Sequence, residues 1–413
     1  MNERTVAHHE ITEIVAKQYG AWVYPKPIED MRTAIDGGYY EFGSPNLFRP
    51  LLWPERRSLE GLKVLIAGCG TNQAAYNALS LPQAQITAID ISMNSLGHSQ
   101  YLKEKHRLDN LTLKRMSLLD VADLDQQFDL IISTGVLHHL PDPDAGLRAL
   151  RDVLAPDGMM NLMVYGQSLR AGVYMMQEVF RRMGLGQTAD DVALVRATLE
   201  SLPENHAVRR YLAAADDLHY DSGMVDTFLH PQDRAYTVPQ VLDFARNNGL
   251  AFWSWTDPKD YNADSVLGLK HPALARIQAL PIEEQWATVE LIAQARGTHR
   301  FLLCHPERLS IRPRFDSASW FQFVPVLHPL LKVTQQGNIA QNQSAVLKRD
   351  WQEFPLNRIG MALLEQVNGK RSIAQILEEA RNQVSELTAE HAREFFALMQ
   401  DWGHVMYWLE AEN

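Results

Sequence analysis

A short glycine-rich turn is the first feature of this chain that could do chemistry. Gly68 and Gly70 stand between an apolar run and a helix-like segment, and Asp90 ends the next apolar run, about 20 residues further on. Glycine has no β-carbon, so the backbone at both positions can turn sharply and approach a ligand closely. A carboxylate at position 90 can accept hydrogen bonds from both hydroxyl groups of a ribose. The pattern predicts a nucleotide-binding site, because a plain tight turn with a helix N-cap would leave the acid unexplained.

Two classes of nucleotide cofactor use this geometry. A dinucleotide site has a third glycine three residues after the second, which lets the helix approach the pyrophosphate. That position here is Gln73. A nicotinamide-dependent oxidoreductase is therefore disfavoured, although it remains an alternative.

Two adjacent histidines, His138 and His139, follow the fourth apolar run. Side chains of adjacent residues do not face each other on a helix, so the pair is a poor chelate for one metal ion, and no metal is predicted. Either imidazole can act as a base near a substrate. The alternative is a structural pair at a helix start, hydrogen-bonded to the backbone.

A second polar cluster contains Asp226, His230, Arg234 and Tyr236. We expect it in the loop before a predicted helix, near the carboxyl ends of the strands, where open α/β sheets bind their ligands. His230 could deprotonate a nucleophile, and Arg234 could hold an anionic group. The alternative is a loop salt bridge between Asp226 and Arg234, with Tyr236 as a packing residue.

The elements that position these residues follow a regular rhythm. Short apolar runs alternate with helical segments, which predicts a doubly wound, mostly parallel sheet of the α/β class with helices on both faces. The predicted strands are 62–67, 85–89, 111–115, 128–133, 159–165, 250–255 and 300–304, and the helices between them include 72–79, 95–106, 142–154 and 237–248.

Residues 60–166 resemble the class I S-adenosylmethionine-dependent methyltransferases, and a weaker resemblance continues to about residue 305. VLIAGCGTN looks like the first motif of that family, and ITAIDIS resembles its second strand with the ribose-binding acid. FDLIISTGVLHHLPDPDAGLRALRDVLAPDGMMNLMVYG looks like its fourth and fifth strands with the helix between them. One departure is Asn72, where many members have a third glycine. The resemblance implies a seven-stranded sheet and S-adenosyl-L-methionine as the cofactor.

The resemblance also implies a map of the cofactor site, which extends from the methionine part to the adenine. The cofactor-binding residues that it predicts are Ala67, Gly68, Cys69, Gly70, Asn72, Asp90, Ile91, Ser117, Leu118, Ser133 and Thr134. Among them, Asp90 would hold the ribose and Ile91 would pack on the adenine. Composition further suggests that Tyr24, Tyr39 or Arg49 closes over the site. The candidate catalytic residues are His139, His230, Arg234 and Tyr236.

Composition changes along the chain predict three regions. Residues 1–58 form an aromatic-rich lead-in or lid, residues 59–308 form the cofactor domain with helical insertions at about 168–222 and 262–295, and residues 309–413 form a small, mainly helical domain. NRIGMALLEQVNGKRSIAQIL in the last region weakly resembles the winged helix of PqqD-like proteins, which capture a leader peptide by strand addition. The alternative is a helical domain for dimerisation or stabilisation.

Length and charge limit the possible functions. The chain has 413 residues, a net charge of −11 and two cysteines far apart, Cys69 and Cys304, so we expect a globular protein of a reducing, cytoplasmic compartment without a disulfide framework. The acidic balance disfavours nucleic acid as a partner, and the sequence predicts neither a signal peptide nor a membrane span. The predicted function is methyl transfer to an oxygen or nitrogen nucleophile of a peptide, a protein or a medium-sized small molecule. The alternative is a non-catalytic cofactor-binding module that recruits a protein partner through its C-terminal domain. Homo-oligomerisation is left open.

Overall fold

The computed structural model describes residues 18, 21–39, 44–294, 296–336, 344–349 and 352–410. Residues 1–17 and 337–343, which belong to the predicted lead-in and C-terminal region, lie outside these ranges.

The strands and α-helices of the described residues are numbered in chain order. The strands are β1 Lys63–Ala67, β2 Gln85–Asp90, β3 Leu111–Arg115, β4 Phe128–Thr134, β5 Leu154–Gly166, β6 Ala235–Tyr236, β7 Ala251–Trp255, β8 Thr298–Cys304, β9 Val324–Leu327, β10 Lys332–Gln336, β11 Ser344–Arg349, β12 Gln352–Leu356 and β13 Val405–Trp408. The helices are α1 Met31–Asp36, α2 Pro45–Leu52, α3 Gln73–Ser80, α4 Met93–His106, α5 Pro143–Asp152, α6 Gln167–Arg182, α7 Ala189–Ser201, α8 Arg209–Ala214, α9 Asp221–Phe228, α10 Val238–Asn247, α11 Ala263–Leu267, α12 Leu274–Gln278, α13 Ile282–Ala293, α14 Arg358–Leu364, α15 Ile373–Arg381 and α16 Ala389–Asp401.

One large sheet has the strand order β3-β2-β1-β4-β5-β8-β7, and the two-residue strand β6 pairs with the end of β5. The strands from β3 to β5 run parallel, whereas β8 is antiparallel to both β5 and β7. The predicted doubly wound, mostly parallel, seven-stranded sheet is confirmed.

The register of the central strands positions the glycine turn. β1 is buried from Val64 to Ala67, as expected for a strand that helices cover on both faces. Ala67 pairs with Ile89 of β2, and β4 pairs with the other edge of β1. Because parallel strands end at the same edge of the sheet, the turn after Ala67 lies beside Asp90 and Thr134.

The chain divides into two compact units. The first comprises residues 1–42, 59–255 and 290–306, and the second comprises residues 43–58, 256–289 and 307–413. The large sheet and every residue predicted for the cofactor site belong to the first unit. The domain boundaries predicted from composition stay a prediction.

The helical insertion after β5 has its own apolar centre in the first unit. Side chains from α6, α7 and α9 meet there, with Val173, Val195 and Val225 fully buried. Part of the methionine-rich patch on α6 belongs to this centre, since Met176 is 2% exposed, whereas Met175 is 55% exposed.

Helices α14, α15 and α16 lie in the region predicted to be mainly helical, and they belong to the second unit. It also contains strands that the sequence pattern did not predict. These form an antiparallel sheet of β10, β11 and β12 and a separate pair of β9 with β13. Their apolar residues pack with those of the helices in one core. The winged-helix comparison stays a prediction.

Cys69 and Cys304 are both buried. Within the ranges that the structure describes, no helix has the length and apolar character needed to cross a bilayer.

Candidate active site

The turn after β1 requires glycine at two positions. Gly68 and Gly70 have φ angles of +78° and +53°, in the region that L side chains rarely adopt. A β-carbon on Gly68 would lie 2.3 Å from a methyl group of Val136, and one on Gly70 would lie 3.0 Å from Cδ of Pro25. The backbone is therefore closely covered on both sides of the turn.

Asp90 is held by the same turn. One carboxylate oxygen accepts the N–H of Gly70 at 2.9 Å, and the other accepts the N–H of Ser92 at 2.8 Å. Burial raises the pKa of Asp90, and the N–H groups of Ser92, Gly70 and Ile91 oppose this shift. Two backbone donors orient the carboxylate and leave lone pairs on both oxygens for two hydroxyl groups.

The residues predicted at the end of β4 lie beside the turn. The hydroxyl of Ser133 is buried and donates to the carbonyl of Ala67 at 3.0 Å, so it ties β4 to β1. The hydroxyl of Thr134 accepts a hydrogen bond of 3.4 Å from the side chain of Gln73. Of these two hydroxyls, only that of Thr134 lies on a half-exposed side chain.

The predicted adenine contacts follow β2 and β3. Ile91 comes directly after Asp90, and Ser117 caps the short 3₁₀ helix Leu118–Leu124 by accepting the N–H of Leu119 at 3.2 Å. Leu118 is buried and Ile91 is half-buried. Cys69 is buried within the turn, and burial raises the pKa of its thiol, so it is a small packing residue and not a nucleophile.

Asn72 stands where many members of the family have a third glycine. In this structure its side chain holds the N-terminal segment. We call residues 24–31 the strap. The side-chain amide of Asn72 donates to the carbonyl of Lys26 and accepts the N–H of Ile28, both at 2.9 Å. Thr71 adds a hydrogen bond of 2.9 Å to the carbonyl of Pro25. The side chain of Asn72 is therefore used to fasten the strap over the glycine turn.

The three residues suggested as a lid have different surroundings. Tyr24 begins the strap, and its hydroxyl donates to Asp217 at 2.8 Å. Tyr39 packs edge-on against Tyr76 of α3. Arg49 donates to a backbone carbonyl in the second compact unit. Of the three, Tyr24 is the one that the structure places against the glycine turn, since its carbonyl is 3.6 Å from where a β-carbon of Gly70 would stand.

His139 and His230 come together from distant parts of the sequence. Their rings stack with centroids 3.8 Å apart and planes 27° apart. Nδ1 of His139 lies 2.8 Å from the carbonyl oxygen of Gln232, so this nitrogen carries a proton, and Nε2 is the atom with the lone pair in the neutral ring. Nδ1 of His230 accepts the N–H of the same Gln232 at 3.1 Å. Burial, followed by the neighbouring His139, lowers the pKa of His230 well below its ordinary value, so His230 is neutral at neutral pH.

Asp226 completes this group. It lies in α9, not in the predicted loop, because Asp221–Phe228 continues as a helix. Its carboxylate accepts the hydroxyl of Tyr165 at 2.8 Å. One ligand atom each of His139, Asp226 and His230 lies within 4.8 Å of the others. A metal ion binds imidazole in the plane of the ring, and two stacked rings cannot both point a lone pair at one ion. The arrangement thus suits proton transfer better than metal binding.

The structure leaves Arg234 and Tyr236 at the margin of the cluster. Arg234 is exposed, with its guanidinium 5.1 Å from the ring centroid of Tyr236. Tyr236 is buried in β6, and burial raises its pKa to about 12. The exposed position of Arg234 favours surface contact over a role among the buried groups.

Sequence reasoning missed Arg170, the arginine that is buried in the cluster. Its side chain is 1% exposed and pairs with Asp233 at 3.1 Å. Its guanidinium carbon lies 3.6 Å from the ring centroid of Tyr165. A signal was present, since Arg170 shares the buried face of α6 with Val173 and other apolar residues.

Known proteins resemble this chain in sequence and in fold. A methyltransferase domain model matches residues 65–160. An uncharacterized protein of Synechococcus sp. is 33% identical over 301 residues, which cover 68% of this chain and 69% of that protein. A ubiquinone biosynthesis O-methyltransferase of Pseudomonas syringae pv. tomato is 26% identical over 188 residues, 40% of this chain and 79% of that enzyme. The structure of PKMT2 from Rickettsia typhi in complex with AdoHcy aligns with a TM-score of 0.63 at 18% identity, over 89% of this chain and 75% of that one.

The fold, the glycine turn and the matched domain together define an S-adenosylmethionine-dependent methyltransferase of class I. The chain belongs to this family, and within it to the same group as the Synechococcus protein. The likeness to the Rickettsia structure shows a shared fold.

The residues present fit the cofactor S-adenosyl-L-methionine. Gly68 and Gly70 adopt positive φ angles in the turn after β1, and both oxygens of Asp90 are oriented by backbone donors. A glycine turn next to an oriented carboxylate is the arrangement that binds a nucleoside with a ribose diol.

Proposed function

We propose that this methyltransferase acts on an oxygen or nitrogen nucleophile of a peptide, a protein or a medium-sized small molecule, and that His139 is its general base. The observation that carries the proposal is the hydrogen bond from Nδ1 of His139 to the carbonyl of Gln232. It fixes the tautomer whose Nε2 can accept a proton.

The cofactor supplies a methyl group already activated by a positive sulfur. The protein must place the nucleophile in line and, where the nucleophile carries a proton at neutral pH, remove it. In this proposal the acceptor's oxygen or nitrogen gains the methyl group and Nε2 of His139 takes the proton. His139 follows β4 by only five residues, at the same edge of the sheet as the glycine turn.

Asp226 and His230 support His139 in this role. The carboxylate of Asp226 lies near both rings and would stabilise an imidazolium at His139. Neutral His230 covers one face of the His139 ring and excludes water from it. The Pseudomonas relative named as an O-methyltransferase favours oxygen among the possible acceptors.

The acceptor class is tested by incubating the full chain with methyl-labelled cofactor and a cell extract, then separating proteins, peptides and small molecules for mass spectrometry. Label in any of these fractions, bound through oxygen or nitrogen, is the expected result. Label only on carbon, or only in nucleic acid, would overturn the proposal. A cofactor that binds but is never consumed would favour the binding-module alternative.

The base is tested with His139→Gln. Loss of a general base should lower kcat by about 10²-fold or more, because acid–base catalysis typically contributes that much. Affinity for S-adenosylhomocysteine should stay unchanged. The matched control is His219→Gln, since His219 is exposed in the same unit. Equal activity of the two variants would remove His139 from the mechanism.

A further inference from the structure

We infer that Arg170 is a positioning residue for methyl transfer, which holds Tyr165 and Gln232 and through them orients Asp226 and His139. This inference rests on the proposed function and adds a buried residue to it. Arg170 does not itself contact the acceptor in this account.

The burial of Arg170 calls for a specific role. The side chains of Arg170 and Asp233 are 1% and 2% exposed. A buried ion pair loses several kcal/mol of hydration per ion, so it adds little net stability compared with apolar residues of similar size. A buried ion pair of this kind can instead fix the arrangement of the groups around it.

The first path from Arg170 leads to Tyr165. The guanidinium carbon lies 3.6 Å from the Tyr165 ring centroid, and the ring of His138 lies 3.9 Å from the same centroid. Two groups this close to one ring must occupy opposite faces, so the ring is held between them. The hydroxyl at its end donates to Asp226 at 2.8 Å. Arg170 therefore fixes the direction from which Asp226 is hydrogen-bonded.

The second path leads through Asp233 to Gln232. Asp233 accepts from Arg170 at 3.1 Å, from Gln177 at 2.9 Å and from Tyr174 at 3.4 Å, so three side chains of α6 hold this carboxylate. The preceding residue, Gln232, accepts from His139 through its carbonyl and donates its N–H to His230. The ion pair thus anchors the peptide group that sets both histidine rings.

The positive charge of Arg170 also disfavours protonation of the neighbouring histidine rings. Its positive charge lowers the pKa of His230, after the larger effects of burial and of His139, and it also lowers that of His138. The titratable groups of this cluster come from several elements. They are Tyr24, His138, Tyr165, Tyr174, Tyr211, Asp217, Asp226 and Asp233.

The test uses Arg170→Met and Arg170→Lys in the full chain, saturated with S-adenosylhomocysteine and labelled at histidine. Nitrogen NMR signals of His139 and His230, assigned with His139→Gln and His230→Gln, report tautomer and titration without an acceptor. In wild type we expect a single Nδ1–H tautomer at His139. Arg170→Met should give mixed tautomers at His139 and a higher titration midpoint at His230. In Arg170→Lys the titration midpoint of His230 should stay as in wild type, because lysine keeps the positive charge. The single tautomer of His139 should be lost, because lysine lacks the planar guanidinium group with its several N–H donors.

Activity adds a second readout once an acceptor is found. Arg170→Met should lower kcat by about 10²-fold, the loss expected for a misplacement near 1 Å, with less effect on KM. The control is Arg181→Met on the same helix, whose side chain is 66% exposed. If Arg170→Met does not fold, Tyr165→Phe removes the hydrogen bond to Asp226 and keeps the ring, and it should lower kcat.

The outcomes separate this inference from the proposed function. A wild-type tautomer and midpoint in a folded Arg170→Met, or unchanged kcat in Tyr165→Phe, would overturn the role of Arg170. If His139→Gln is fully active while Arg170→Met still changes the tautomer, the proposed base is wrong and the positioning contact stands.

Discussion

At the scale of single residues, burial controls the protonation of His230. His230 is 8% exposed, and its pKa lies well below the ordinary value because burial penalises the charged ring. A neutral ring stacked on His139 leaves the latter able to take a proton. An unfolded chain has no such constraint, which links the protonation of His230 to folding.

The stability of the protein should therefore fall as the solution is made acidic. Between its unfolded and folded pKa values, His230 is protonated only when the chain is unfolded, so the stability is fully present above about pH 6.5 and is lost as the pH falls. By pH 5.5 the loss from this group should be about 1 kcal/mol. Denaturant unfolding of wild type and His230→Gln at pH 7.5 and 5.5 measures it. The variant should lose about 1 kcal/mol less than wild type over this interval, and equal losses would contradict the assignment.

At the scale of elements, the strap is fastened both to the glycine turn and to α4. Its backbone is held by Asn72 and Thr71 at one end and by α4 at the other, where His98 and His106 bond to Ile28 and Met31 at 3.0 and 3.1 Å. Both of these histidine contacts are to backbone groups, so the strap is positioned with little dependence on its own side chains.

Loss of the Asn72 amide should release the strap. Asn72→Ala removes two hydrogen bonds, each of which contributes about 1 kcal/mol. Hydrogen exchange of the peptide that contains the Ile28 amide should accelerate several-fold. Asn110→Ala is the matched control, because Asn110 also makes two backbone hydrogen bonds, to Ala78 and Leu81, away from the strap. Equal exchange in both variants would show that Asn72 does not fasten the strap.

Elements also show what the sequence could predict. The apolar runs of β1, β2 and β4 are buried on both faces, so their pattern identifies the sheet and the edge where Asp90 meets the glycine turn. The burial of Arg170 was not predicted, because a charged residue on an apolar helix face is ordinarily assigned to the surface. The contact of His139 with His230 depends on the course of the chain after β5, and local periodicity carries no information about that course. The strands β10 to β12 were not predicted, because their sequences are largely polar.

At the scale of the whole molecule, the C-terminal residues are not a simple appendage. Residues 43–58 and 256–289 belong to the same compact unit as residues 307–413. Within that unit Arg349 donates to Asp257 at 2.7 Å and to the carbonyls of Trp402 and Gly403. A cut after residue 309 would therefore remove one partner of a buried ion pair.

Arg349 provides a test of this organisation. Its side chain is 1% exposed and that of Asp257 is 11% exposed. Asp257 also pairs with the buried Lys259 at 3.3 Å, so Arg349→Met leaves this carboxylate with one of its two cations. We expect the free energy of unfolding to fall by about 1.5–3 kcal/mol, the contribution of a hydrogen bond to a charged group. Arg358→Met is the control, because Arg358 is 58% exposed and should change stability by less than about 0.5 kcal/mol. Similar midpoints in denaturant for both variants would refute the importance of the Arg349–Asp257 pair.

The acidic charge of the whole chain agrees with this function. A net charge of −11 does not hinder a cofactor that is cationic at sulfur, whereas it weakens attraction to nucleic-acid phosphates.

Calorimetric titration with S-adenosylhomocysteine tests the central claim most directly, because it examines the glycine turn and Asp90 together. The full chain should bind at a single site, and Asp90→Ala should lose at least tenfold in affinity, since hydrogen bonds to a charged group contribute about 1.5–3 kcal/mol each. Asp123→Ala, which changes an exposed acid of the same unit, should bind like wild type. Binding of NADH instead of S-adenosylhomocysteine, or wild-type affinity in Asp90→Ala, would contradict the account.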